Sequence, residues 1–261
     1  LSFDGDGDYI VVDDSNSLSP SEITVEMWIR QDELEGSQGQ HYLNKSNGSD
    51  GYEYHLASVE DGSTLVSGIN IESGSSEGNM LANANVDNNE WNHIAFSYDS
   101  HIHRIFLNGV LVAEQEYSVG LENSDGLLLI GSYLPYGNSI EPNNWSLPYQ
   151  FKGDIKEVRI SDIARDLEEF NQDSLEFSLD DNTVALWKFE SGSGDILYDH
   201  SGNQNHGTIN GASWDLEGCI DNAAINYNQS ATVNDGSCLY SMSIDLNSGA
   251  NLISYYIIPE D

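Results

Sequence analysis

Asp4, Asp6 and Asp8 alternate with Gly5 and Gly7 close to the start of the chain. Carboxylates on a tight glycine-rich turn are suited to a hard cation, because Ca²⁺ takes roughly six to eight oxygens that no single strand can present. The loop is not an EF-hand: counted from Asp4, Tyr9 and Ser15 stand where that motif needs its glycine and its closing glutamate. A second set, Asp199, Asn203 and Asn205, lies in a turn far along the chain. It is expected to meet the first set if the two ends of the fold pair. Asp221, Asn226, Asn228, Asn234 and Asp235 crowd a segment bracketed by Cys219 and Cys238. All three sets predict Ca²⁺ ligands. The alternative for each is Asx-turn chemistry, in which these side chains bond their own backbone.

A different chemistry is suggested by the Ser132–Gln150 stretch, where Tyr133, Tyr136, Trp145 and Tyr149 are interspersed with Pro135, Pro142 and Pro148. Aromatic faces stack on the apolar faces of sugar rings, and prolines pre-order such a platform so that less entropy is lost on binding. Catalytic signals are sparse. No His-Glu-x-x-His, phosphate-binding loop or dinucleotide fingerprint occurs. Glu22 and Glu26 share one face of a strand pattern, as the paired carboxyls of a retaining glycosidase would, but Thr24 stands between them. His101 and His103 are two apart and make at most half of a transition-metal site, with surface histidines the simpler reading.

The elements that must position these residues read as strands. Period-two runs cover Tyr9–Val12, Ile23–Ile29, Tyr52–Ala57, Thr64–Ile71, His93–Tyr98, His103–Leu107, Val110–Glu114, Leu127–Ile130, Asp154–Ile160 and Val184–Phe189. Asn108-Gly109 between two of them predicts a type I′ hairpin turn. One short helix is predicted after Asp166, with Glu169 at capping-box spacing and Leu167 and Phe170 on one face. Trp28 and Trp91 fall in strand patterns and are expected in the core. The whole predicts an all-β fold, a two-sheet antiparallel jelly-roll sandwich over 1–214. A small Asn/Asp-rich module closed by a Cys219–Cys238 disulfide follows over 215–240, and 241–261 reads as the start of a further β domain.

Eight basic against 44 acidic residues give a net charge of −36. A nucleic-acid ligand is excluded, because reading phosphates needs a Lys/Arg footprint. No apolar run is long enough for a membrane-spanning helix. So acidic a surface suits a saline medium in which screening tolerates the self-repulsion.

Six stretches in order resemble the laminin-G-like jelly roll, the concanavalin A-like lectin/glucanase sandwich. They are Leu1–Val12, Ile23–Arg30, Trp91–Asp99, Ile105–Gly109, Phe151–Ile160 and Ala185–Gly211. One departure is Lys156, where the family usually carries Asp; Asp154 is the substitute on offer. Laminarinase-type hydrolases share this fold and place Glu, Asp and Glu on alternate positions of one strand, which Glu22-Ile-Thr-Val-Glu26 matches only in part. The cysteine-bounded segment is similar to a motif of secreted multidomain proteins from marine Bacteroidetes. The resemblance implies a Ca²⁺-stabilised, non-catalytic binding or adhesion module, extracellular or on a cell surface, that recognises a glycan or another cell surface. It also implies further domains in the same polypeptide. The alternatives are a spacer in an adhesin or surface fibre, and a laminarinase-like hydrolase.

Overall fold

The structure is a computed structural model that describes residues 1–33, 39–46, 52–59, 63–70, 78–117, 120–121, 123, 125–133, 149–166, 175–215, 217–229, 231–234 and 236–241. It divides into two compact units, Leu1–Trp214 and a second beginning at Asp215. The strands of the first unit are β1 (Ser2–Asp4), β2 (Tyr9–Val12), β3 (Ile23–Gln31), β4 (Gln40–Ser46) and β5 (Tyr52–Val59). Next come β6 (Thr64–Ile69), β7 (Gly78–Ala82), β8 (Asn92–Tyr98), β9 (Ile102–Leu107) and β10 (Val110–Glu116). The last are β11 (Leu127–Ile130), β12 (Lys152–Ser161), β13 (Thr183–Lys188), β14 (Ile196–Leu197) and β15 (Gly207–Asn210).

Two antiparallel sheets face each other. One runs β1-β12-β3-β8-β9-β10 with β13 also on β12; the other runs β14-β15-β2-β11-β4-β5-β6-β7. The core between them is continuous. Ile10, Leu56, Leu128 and Ile130 from one sheet and Ile23, Met27, Ile94, Phe96 and Val158 from the other are fully enclosed. Each such side chain contributes roughly 1.5–3 kcal/mol of transfer free energy. The two ends of the first unit meet as the pattern requires: β1 pairs β12, β2 pairs β15, and Ser2 exchanges two backbone hydrogen bonds with Ser213 at 2.8 and 2.9 Å. The hairpin at Asn108-Gly109 forms, with φ of 51° and 77° supplying the two positive values a type I′ turn needs.

Some expectations are corrected. β1, β4, β7, β14 and β15 have no counterpart among the predicted strands. In β4 the reason is a register irregularity between His41 and Leu43, which turns Tyr42 and Leu43 both into the core and breaks the period of two. Lys156 sits in the irregularity between Ile155 and Glu157 on β12, and Asp154 is ion-paired with Arg30 at 2.6 Å. Trp28 is buried, but on the outer face of the seven-stranded sheet against Phe177 and Leu186, and Trp91 is only half-buried beside them. His101 is exposed ahead of β9, whereas His103 points into the core and bonds Ser67 at 2.9 Å, so the two do not share a face. The helix expected after Asp166 lies outside the described residues.

The second unit contains a short parallel pair, β16 (Glu217–Gly218) and β17 (Val233–Asn234), and the Cys219–Cys238 disulfide with Cα atoms 4.8 Å apart.

Candidate functional site

The stem of the predicted aromatic loop is fastened to the start of β4. Beyond β11 the chain turns at Gly131, whose N–H donates to Tyr42 O at 2.9 Å and whose carbonyl accepts from Phe151 N at 2.9 Å. Gly131 has φ of 82° and lies so close to Phe3 that a Cβ would sit 2.6 Å from its ring, so only glycine fits. On the returning strand, His41 N donates to Tyr149 O at 2.8 Å. These clamps draw three rings together. Tyr133 stacks on His41 with centroids 4.5 Å apart, Tyr149 meets His41 edge-on at 6.2 Å, and the two tyrosines are 6.0 Å apart. Tyr149 is 40% exposed, leaving an accessible ring at the mouth of the cluster. His55 on β5 extends the row at 5.7 Å from His41.

The cluster is uncharged. Burial pushes His41 down to about 4 and His55 well below its ordinary value, so both rings are neutral near pH 7. Burial raises the Tyr133 hydroxyl, with Tyr149 adding to the effect. Tyr133 and Tyr149 are thus brought together, while Tyr136 and Trp145 lie outside the described residues. His41 was not foreseen. Its only sequence signal is an aromatic neighbour, and the pairing that matters spans over a hundred residues.

The Asp4–Asp8 loop sits beside this stem. Gly7 N donates to Gln150 Oε1 at 2.7 Å, next to Tyr149. Within the loop, Asp8 Oδ2 accepts from Asp4 N and Asp4 Oδ1 accepts from Asp6 N, both at 2.7 Å. Asp4 and Asp6 are exposed, whereas Asp8 is buried. Burial is the main cause that pushes the Asp8 carboxyl up to about 6, opposed by the Asp4 backbone bond and reinforced by the Asp4 and Asp6 charges.

Asp199, Asn203 and Asn205 do come together, but around backbone rather than around the first loop. Asp199 Oδ1 accepts from Leu186 N at 3.0 Å and Ser201 N at 2.8 Å; Oδ2 accepts from Ser201 Oγ at 2.8 Å and Asn205 N at 3.0 Å. Asn203 and Asn205 both donate to Val184 O, at 2.9 and 3.0 Å. The register explains why the expected meeting fails. Tyr9 pairs Asn210 and Val12 pairs Gly207, so Asp8 and the Asp199 turn flank opposite ends of β2. About four residues of strand, roughly 13 Å, separate them.

In the second unit Asp221 accepts from Ala223 N at 2.8 Å and Tyr240 Oη at 2.5 Å, and Asn226 accepts from Leu239 N at 2.7 Å. Asn234 accepts from Gly236 N at 3.2 Å. The bonds from Ala223 N and Gly236 N are the local turn bonds of the alternative reading, whereas Tyr240 and Leu239 tie Asp221 and Asn226 to the far end of the module; Asp235 lies outside the described residues. Among the described residues no group of three or more His, Cys, Asp or Glu is placed to hold a metal ion.

Of the carboxylate pair Glu22 and Glu26, only Glu22 is partly exposed. Glu26 is 1% exposed and held by Arg159 at 2.6 Å and His93 at 3.2 Å. Burial opposes ionisation of Glu26, but His93 and Arg159 together bring its pKa below the ordinary value. Thr24 Oγ1 donates to Ile163 O at 2.7 Å and accepts from Arg165 N at 2.8 Å, roofing the strand. A sealed, ion-paired carboxylate cannot attack a sugar.

Residues 4–171 match the profile of a family described as the concanavalin A-like lectin/glucanases superfamily. No curated protein sequence matches the chain. Among solved structures, a candidate carbohydrate-binding protein from Bacteroides ovatus is 20% identical with a TM-score of 0.58. That match covers 80% of this chain and 58% of the other, so the chain spans little more than half of that protein. The CBM40 domain of the Ruminococcus gnavus IT-sialidase, bound to α2,3-sialyllactose, is 16% identical with a TM-score of 0.50, over 65% of this chain and 92% of that domain. A variant of the NanB sialidase from Streptococcus pneumoniae is 16% identical with a TM-score of 0.52, over 80% of this chain and 38% of the enzyme. At these identities the likeness is one of fold.

Proposed function

The chain belongs to the concanavalin A-like lectin/glucanases superfamily, and from that membership we propose that it is a non-catalytic, extracellular glycan-binding module. The observation that carries the reading is the neutral ring cluster of Tyr133, His41 and Tyr149, clamped to β4 with one ring open to solvent. A rigid, uncharged aromatic edge suits the C–H face of a sugar, and its low residual freedom limits the entropy lost on binding. The structural relatives described as carbohydrate-binding support the same class of ligand. Catalysis is disfavoured because Glu26 is sealed beneath its ion pairs.

Calcium belongs to this proposal at one place only. The Asp199 turn does not suit a cation, since both carboxylate oxygens already accept from N–H and O–H donors. The Asp4–Asp8 loop is the better candidate: among the described residues the buried Asp8 carboxylate has no cationic partner and is flanked by exposed Asp4 and Asp6, although the three are not already grouped as a metal site. Calcium there would supply positive charge, and the Gly7–Gln150 bond would carry the resulting stiffness to Tyr149. The test is a glycan array probed in millimolar calcium and again in chelator. The expected outcome is a calcium-strengthened set of hits. Calcium-dependent melting without any hit would favour a spacer instead, and turnover of β-glucan would reinstate the hydrolase.

A further inference from the structure

We propose that the outer face of the seven-stranded sheet carries a second binding site, a groove that takes a primary ammonium group on a short organic stem. The groove measures about 440 Å³, within the rough 300–1,000 Å³ range of small-molecule sites. Its origin lies in the strands. On β8, the short side chains Ala95 and Ser97 stand opposite Phe106 and Arg104 of β9. Short residues between longer ones leave a hollow. Phe106 and Leu111, packed with Ala95 in a cluster apart from the main core, form its apolar floor.

The polar lining decides the ligand's charge. Arg104 is held by Asp99 at 2.9 Å and approached by Glu114 at 3.8 Å. Arg165 is held by Asp180 at 2.7 Å and approached by Glu26 at 3.8 Å. Both guanidiniums are thus already charge-paired with carboxylates. Glu22 also lines the groove and has no ion-pair partner among the described residues, so the lining retains negative charge.

A bare metal ion fits poorly, because no three carboxylate, histidine or cysteine side chains among the described residues are grouped to hold one. Dispersed acids around an apolar floor instead match a cation whose stem also gains from burial. The net charge of −36 adds long-range attraction for such a ligand. This inference does not rest on the aromatic stem being a glycan site.

The experiment is calorimetric titration of the full chain in dilute buffer with glucosamine and with Nα-acetyl-lysine amide. Each is paired with its neutral N-acetylated counterpart. At least one amine is expected to bind with its acetylated form silent; a preference for glucosamine identifies a sugar stem, and for the lysine probe a peptide side chain. Glu22→Gln is expected to weaken the amine about threefold, the scale of one exposed ion pair, without a change in melting temperature. Ala164→Phe, which fills the groove, should abolish binding, and Tyr149→Ala should leave it intact. Silence from both amines, equal binding of the acetylated forms, or an affinity indifferent to Glu22→Gln and Ala164→Phe would overturn the site.

Discussion

The Asp199 turn and the Asp4–Asp8 loop are built from the same residue types, yet their carboxylates face opposite balances of donors. Asp199 receives bonds from three backbone amides and one hydroxyl, so it is a structural acceptor with nothing left to offer. Asp8 is equally buried but receives the Asp4 amide while two further carboxylates press on it, and its pKa rises to about 6. Acidic, glycine-rich composition locates a turn. The donors around each oxygen decide whether the carboxylate holds the chain together or is available to a cation.

Removing the saturated carboxylate should have the larger effect. Asp199→Ala strands three backbone amides, each worth roughly 1–3 kcal/mol when left unsatisfied and buried. Two of these bonds are buried and one is part-buried, so with some relaxation the expected loss is about 3–5 kcal/mol, a fall in melting temperature on the order of 10 °C for a unit of this size. The fall should be the same in calcium and in chelator. A fall confined to calcium would make Asp199 a ligand and erase the contrast between the two turns.

Asp8→Asn should act in the opposite direction. With a folded pKa raised from 3.8 to about 6, Asp8 favours the fold while protonated, below its unfolded pKa, and that contribution is lost as pH rises through 6. At pH 8 the ionised group costs roughly 1–3 kcal/mol. In chelator, Asp8→Asn is therefore expected to melt above the wild type at pH 8 and alongside it at pH 4. Added calcium should raise the wild type and leave the variant nearly unmoved. A variant that melts below the wild type at pH 8 in chelator would show that the Asp8 charge is already compensated.

How far the sequence revealed these features depended on how local their causes are. Tyr9–Val12, Leu127–Ile130 and the Asn108-Gly109 hairpin were legible, because alternation and turn chemistry act within a few residues. β4 was not, since its irregularity near His41 breaks the period and its Lys45 is fully buried between Asp14 and Glu53 at 2.8 and 2.9 Å. Tyr133 and Tyr149 stood out as loop aromatics, but their partner His41 is reached only through strand pairing across the fold. The groove was illegible for the same reason. Ala95 and Ser97 are unremarkable in sequence and become a hollow only when β9 and the chain around Arg165 flank them.

The central claim is that the clamped ring cluster binds sugar. Its most direct test is the affinity of an array-selected glycan for wild type and for Tyr149→Ala, measured by calorimetry in millimolar calcium. Tyr149 is 40% exposed, so the substitution should move the melting temperature by less than about 2–4 °C, the equivalent of roughly 1 kcal/mol. The affinity should fall at least about tenfold, as removal of a ring at the centre of a contact does. An unchanged affinity with an intact fold would contradict the claim and move the glycan site away from this stem.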